Sequence, residues 1–197
     1  MTARPTLGRY YADVPNRLVG YLIDLLILSI LAVIVAIVVS LLFGPIVDIN
    51  LSTDPRVSVD EWLALLSGVM ATAVGAVYFV GSWKRSGGTP GQRWLRMTVG
   101  AEADGATISI RRGLIRWALL VLPISLEASI TPVVSGTLDT LVVLALVVWY
   151  LYLLVSTARH PKKQGLHDRV ARTVVTKVGQ VVPWPAPTDP EPDAVVR

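Results

Sequence analysis

The stretch from Arg17 to Phe43 reads RLVGYLIDLLILSILAVIVAIVVSLLF. After Arg17, Asp24 is its only side chain that carries a charge at neutral pH. About 20 predominantly apolar residues suffice to cross a bilayer. The run is longer than that, so it predicts a transmembrane helix with an acid inside it. A charged group near the centre of such a helix costs about 2.5–3.5 kcal/mol on insertion scales, and such groups are usually paired or functional. Arg17 precedes Asp24 by seven residues. That is close to two helical turns, which puts both side chains on one face, about 10 Å apart along the axis. Two arrangements are open. Arg17 either snorkels to the headgroups or reaches down toward Asp24.

Working outward, Gly44-Pro45 ends the helix. The run is far longer than a signal-peptide core and no small-x-small cleavage site follows it, so it is expected to stay as an anchor. Three more apolar runs follow: Trp62 to Trp83, Leu114 to Val134 and Leu138 to Thr157. The second run has a Trp at each end, which reads as an interfacial aromatic belt. The third is the weakest, because it carries Pro123, Glu127 and several Ser and Thr. The expected fold is an all-α membrane protein. It is a bundle of four transmembrane helices, about 18–43, 62–83, 114–134 and 138–157, with a small cytoplasmic β-hairpin or sheet. Residues 1–16 form a cytoplasmic N-terminal segment, 17–178 the membrane domain and 179–197 a disordered Pro-rich tail.

The composition agrees with this. The chain has 197 residues, 53% hydrophobic and only 16% charged, and a mean hydropathy of +0.59. Such values lie outside the usual soluble range. The pI near 9.6 does not point to nucleic acid, because the basic residues flank the apolar runs. There is no cysteine, hence no disulfide, thiolate zinc site or Cys nucleophile.

Lys and Arg set the orientation. Arg4, Arg9 and Arg17 precede the first run. Six basic residues, among them Lys84, Arg85 and Arg116's neighbours Arg111 and Arg112, lie between the second and third runs. Six more, from Arg159 to Lys177, follow the fourth. The loop after the first run has one, Arg56, and the loop after the third has none. This alternation predicts both termini in the cytoplasm of a bacterial inner membrane. A re-entrant third run is the alternative, and the basic tail argues against it.

In the cytoplasmic part, Leu95 to Val99 and Ala106 to Ile110 are β-prone and flank an Asp104-Gly105 turn, a hairpin signal. The β-prone run Thr173 to Val178 is expected to pair with this hairpin. Two Arg/acid pairs outline an internal repeat. Arg17 precedes Asp24 on the first helix as Arg116 precedes Glu127 on the third, in each case with the two on one helical face.

Three stretches stand together: Arg17-Leu-Val-Gly-Tyr-Leu-Ile-Asp24, Thr89-Pro-Gly-Gln-Arg-Trp-Leu-Arg96, and Gln164-Gly-Leu-His-Asp168-Arg-Val-Ala-Arg172. In order and spacing they resemble the RDD family of bacterial multi-pass membrane proteins, named for one arginine and two aspartates. The resemblance covers about 16–177. It implies that Arg17, Asp24 and Asp168 are the signature residues, and that Thr89 to Gln92 is the family's conserved loop, with Gln92 where Lys is frequent. It further implies transport of an unidentified solute, with proton/cation exchange as the specific version.

Each residue has a plainer reading beside the functional one. Asp24 could be a protonatable transport site or a structural partner of Arg17. Arg17 could be an interfacial anchor. Asp168 could be a cap or salt bridge that ties the tail to the basic loop. Glu127, Arg116 and His167 are secondary candidates, with Glu127 equally suited to an outer vestibule. The Gly-rich loop Gly87 to Gly91 lacks the Gly-Lys-Ser/Thr ending of a phosphate-binding loop and reads as a turn on the membrane surface. His167-Asp168 is similar to pairs in metal-dependent phosphohydrolases, but the chain has only one other histidine, His160. No catalytic, metal or cofactor site is therefore expected, and no enzyme. The expected partners are the bilayer and anionic headgroups at the cytoplasmic face, with a homo-oligomer if four helices are to form a pathway. The competing function is a non-transporting structural or accessory protein whose Arg/Asp network stabilises the bundle and docks a partner.

Overall fold

The computed structural model describes residues 6–50, 56–132 and 136–181. Helix α1, Val14–Phe43, has 30 residues, about 45 Å of helix against a hydrocarbon core of about 30 Å. Its outward side chains, such as Leu22, Leu26 and Leu41, are exposed, as on a span that faces lipid. A hairpin of β2 (Val47–Asn50) and β3 (Arg56–Val59) then leads into α2, Glu61–Ser86. Asp60 caps α2 by accepting from the Leu63 N–H at 3.0 Å, and Gly87 ends it in the left-handed conformation. Short α3 (Pro90–Trp94) and β4 (Met97–Ala101) follow, then α4 (Ile110–Leu120), α5 (Leu122–Ile130), α6 (Thr137–Arg159), α7 (Leu166–Ala171) and β5 (Thr173–Val181). Strand β1, Thr6–Tyr11, precedes α1.

Three helices, α1, α2 and α6, are long and apolar enough to cross a membrane; α4 with α5 makes a fourth if the pair counts as one span. The third apolar run is thus not the single helix expected over about 114–134. It starts earlier, at Ile110, and bends by 54° at Val121. Pro123 explains the bend. Its ring nitrogen cannot donate to the Leu119 carbonyl, and its ring crowds that carbonyl. Inside a membrane a freed carbonyl must find another donor. Here the Trp149 indole N–H donates to Leu119 O at 3.1 Å, and the Tyr150 hydroxyl donates to Leu120 O at 2.9 Å. The bend is therefore stitched to α6. The pair still runs in one direction along α2. Gly113 packs on Val80, while Ser129 packs on Gly68 and shares a 3.2 Å hydrogen bond with Thr72. Val80 and Gly68 are about 18 Å apart along α2, so the pair does not turn back.

At one end of the bundle lies a three-stranded antiparallel sheet in the order β1-β5-β4. Thr176 sits between Tyr11 on one side and Thr98 on the other. The sheet differs from the predicted one in two ways. The second arm of the hairpin shrinks to a single bridge, Gly100 to Thr107. The Asp104-Gly105 turn forms, but Ser109 then caps α4 by accepting from the Arg112 N–H and draws Ile110 into the helix. β1 pairs with the other edge of β5, so part of the N-terminal segment is a strand. Strand β5 reaches Val181, into the stretch expected to be disordered; the rest of that tail lies outside the described residues. The apolar core sits at this end, where Phe79, Trp83, Met97, Val99, Ile108, Trp117 and Val175 pack together.

Candidate functional site

Two buried clusters lie at the sheet end. The first surrounds Asp24, which is fully buried. Its Oδ1 accepts from the Tyr78 hydroxyl at 2.7 Å and from the Gly91 N–H at 2.9 Å. Its Oδ2 accepts from the Thr89 hydroxyl at 2.5 Å. Among the described residues no cation stands within salt-bridge distance of it. Asp24 is thus held by neutral donors from α2 and α3, and Arg17 does not reach down to it.

The Thr89-Pro-Gly-Gln sequence now has a mechanical reading. Thr89 caps α3 by accepting from the Gln92 N–H, and the Gln92 side chain accepts back from the Thr89 N–H at 3.1 Å, a complete capping box. Pro90 occupies a first-turn position where no N–H is needed. A Cβ on Gly91 would lie 2.3 Å from the Gly20 carbonyl and 2.9 Å from Asp24 Oδ1. Only glycine lets α3 close on α1. Gln92 Oε1 also accepts from the Trp83 indole at 3.0 Å. A lysine there would offer no acceptor to either donor. The loop is therefore not a surface turn near headgroups, because Thr89, Gly91 and Gln92 are buried.

The second cluster surrounds Asp168, also fully buried. Arg17 Nη1 lies 2.7 Å from Asp168 Oδ2. Arg116 Nη1 pairs with Asp168 Oδ1. Thr173 donates its hydroxyl to the same Oδ1 at 2.9 Å and accepts from Arg116 at 3.0 Å. Arg17 Nε donates to the Ala12 carbonyl at 3.0 Å, which fixes the chain where β1 enters α1. His167 Nε2 is 3.5 Å from Asp168 Oδ2. Burial, with the charges of Arg116 and Arg17, holds the His167 pKa well below its usual value, so the ring is neutral.

Trp83 joins the clusters. Its indole N–H serves Gln92, and its ring lies under the Arg116 guanidinium at 5.0 Å. It is completely buried, whereas Trp62 is exposed. The pair is therefore not a matched interfacial belt.

A family model described as the RDD family matches residues 11–172. The chain belongs to the RDD family. No curated protein and no solved structure gives a significant match to it. It is a bacterial multi-pass membrane protein with a buried Arg/Asp/His salt-bridge network.

The three signature residues of this RDD protein do not form one contact. Arg17 and Asp168 meet, while Asp24 makes a separate cluster bridged to them by Trp83. Glu127 lies apart from both, where its carboxylate accepts from the Thr131 hydroxyl at 3.0 Å. The repeat of Arg and acid on one helical face does not hold for Arg116 and Glu127, because the bend at Val121 separates them. The sequence reading missed Tyr78, Trp83, Thr173 and Gln164, whose side chain donates to the Thr173 carbonyl at 2.9 Å. The common signal of Tyr78, Trp83 and Thr173 is a hydrogen-bonding group in or beside an apolar run, whereas Gln164, between Lys163 and Gly165, carries no such signal. Among the described residues no group of three or more His, Asp and Glu stands close enough to hold a metal ion.

Proposed function

We propose that this RDD protein is a structural or accessory membrane protein. Its Arg/Asp network locks the sheet end of the bundle into a rigid platform that a partner protein docks on. The observation that carries this reading is the coordination of Asp24. Three donors from two other elements occupy both its oxygens. A site that takes up and releases cations would have to break these bonds in each cycle, and with them the docking of α3. Arg17 and Arg116 likewise both converge on Asp168.

The basic residues flanking the spans at this end, among them Lys84, Arg85, Arg111, Arg112, Arg159 and Lys162, favour its placement in the cytoplasm, with both termini there. The same residues would draw anionic lipids, at about 1 kcal/mol per charge near the surface.

The second reading is proton/cation exchange through Asp24. It is favoured by the position of this carboxylate, ten residues into a spanning helix, and would call for a homo-oligomer. Ion-driven dissipation of a pH gradient in everted vesicles separates the two. The platform reading predicts no dissipation above vesicles that lack this protein, with sodium, potassium or lithium. Cation-dependent dissipation that vanishes in Asp24→Asn at matched folded protein would establish exchange instead.

A further inference from the structure

Between α1, the α4–α5 bend and α6 lies a cavity of about 260 Å³. Leu25, Phe79, Val121 and Leu153 make much of its wall. Five polar side chains also line it; the hydroxyls of Tyr150 and Thr157 donate to backbone carbonyls, which leaves Arg17, Tyr21 and His167. Each of these three has an atom without a well-aligned hydrogen-bond partner among the described residues: Arg17 Nη2, the Tyr21 hydroxyl, which stands beside the Arg116 guanidinium, and His167 Nδ1. Arg17 is 6% exposed and His167 4%. Buried polar groups are nearly always satisfied, so three orphans around one apolar cavity mark a place where something else binds.

Their chemistry defines what fits. Arg17 and Arg116 bring two positive charges to the single negative charge of Asp168. The neutral His167 adds none, so the cluster carries one unbalanced positive charge. Arg17 Nη2 can only donate. His167 Nε2 faces a carboxylate, which assigns the ring proton to that nitrogen and makes Nδ1 an acceptor. The complement is a single negative charge on oxygen with a hydroxyl a short arm away. The cavity is too small for a whole lipid but has room for a headgroup. Leu18, Leu25 and Leu154 at its margin are exposed on the apolar flank of α1 and α6, where acyl chains lie. Arg17 stands in the first turn of α1, and the end of a spanning helix is where headgroups meet hydrocarbon.

We propose that this cavity is a binding site for a phospholipid whose headgroup has one negative charge and a free hydroxyl. The phosphate oxygen accepts from Arg17 Nη2 and the Tyr21 hydroxyl, and the headgroup hydroxyl donates to His167 Nδ1. The oxyanion and the hydroxyl also occur in soluble glycerol 3-phosphate, a monoester that carries up to two charges at neutral pH, and the test separates the two.

The full chain, purified in detergent, is titrated with dioleoyl phosphatidylglycerol, phosphatidylethanol and phosphatidylcholine, and with glycerol 3-phosphate. Bound lipid is read by native mass spectrometry. Phosphatidylethanol has the charge without the hydroxyl. The expected order is phosphatidylglycerol, then phosphatidylethanol, then phosphatidylcholine, with no saturable binding of glycerol 3-phosphate. Tyr21→Phe leaves the Asp168 ion pairs in place and should weaken phosphatidylglycerol about five-fold, the effect of one hydrogen bond. Leu154→Trp, which narrows the lipid-side margin, should weaken it as well and serves if Tyr21→Phe fails to fold. Equal binding of phosphatidylglycerol and phosphatidylcholine, or no effect of either variant, overturns the site. Phosphatidylethanol binding as tightly as phosphatidylglycerol overturns the role given to His167. Saturable binding of glycerol 3-phosphate overturns the lipid as occupant.

Discussion

Arg17 and Asp168 are 151 positions apart in the chain and meet at 2.7 Å. Their contact fastens the first turn of the first membrane helix to the short helix that follows the last one. It also sets β1 beside β5, since Arg17 holds the Ala12 carbonyl while Thr173, the first residue of β5, donates to Asp168. Asp168 is thus the closing point between the two ends of the membrane domain.

Asp168→Asn should therefore be among the most damaging single changes. It leaves Arg17 and Arg116 buried without their counter-charge, and removing one partner of a buried pair costs about 3–5 kcal/mol. Unfolding followed by tryptophan fluorescence in detergent measures the loss. Arg17→Lys keeps the charge but cannot serve both Asp168 and the Ala12 carbonyl with a planar fork. It should fall between wild type and Asp168→Asn.

Gly91→Ala tests the contact between α3 and α1. The new methyl group meets the Gly20 backbone, which cannot swing aside as a side chain could. Overpacking of this kind costs about 1–3 kcal/mol. Gly81→Ala is the control, since nothing lies within 4 Å of a Cβ at that position. It should be neutral or stabilise α2 by up to about 1 kcal/mol. Equal melting temperatures for the two variants would contradict the docking described.

Tyr150→Phe and Trp149→Phe each strip a donor from a carbonyl at the α4–α5 bend. A buried acceptor left bare costs about 1–3 kcal/mol. Each variant should lose stability in that range and speed amide hydrogen exchange in α5. Unchanged exchange would mean that α6 does not hold the bend.

The neutral His167 makes stability depend on pH. Its folded pKa lies well below the usual 6.5, so below that pH the unfolded chain takes up a proton that the folded chain refuses. The contribution of His167 is complete above pH 6.5 and is lost as the pH falls toward the folded pKa, with a slope of at most about 1.4 kcal/mol per pH unit. His167→Gln should flatten this slope between pH 6.5 and 5. The same slope in both proteins would assign it to other groups.

The membrane helices were readable in the sequence because the bilayer imposes length and apolarity on them, as in the uninterrupted run after Asp24. The third was readable as a crossing but not as a bent one. Pro123 announces a break, yet whether it ends the span depends on donors from Trp149 and Tyr150, which the third run does not contain. Strand β1 was hidden because its six residues pair with a segment at the far end of the chain. Arg17 and Asp24 share a helical face, which invites pairing them. Tertiary contact decides otherwise, since Asp168 and α3 arrive from 144 and 65 positions beyond Asp24. The Thr-Pro-Gly-Gln stretch carried a legible cap, but nothing local shows that the cap's hydroxyl also serves an aspartate on another helix.

The most direct test of the platform account is the unfolding free energy of Asp24→Asn, with amide exchange followed across residues 89–94. An asparagine keeps one acceptor oxygen but places an N–H₂ group opposite the donors now served by the other. The account predicts a loss of about 1–3 kcal/mol and faster exchange in α3, with or without any ion gradient. A variant as stable as wild type, with α3 protected as before, would show that Asp24 does not hold the structure together and would contradict the account.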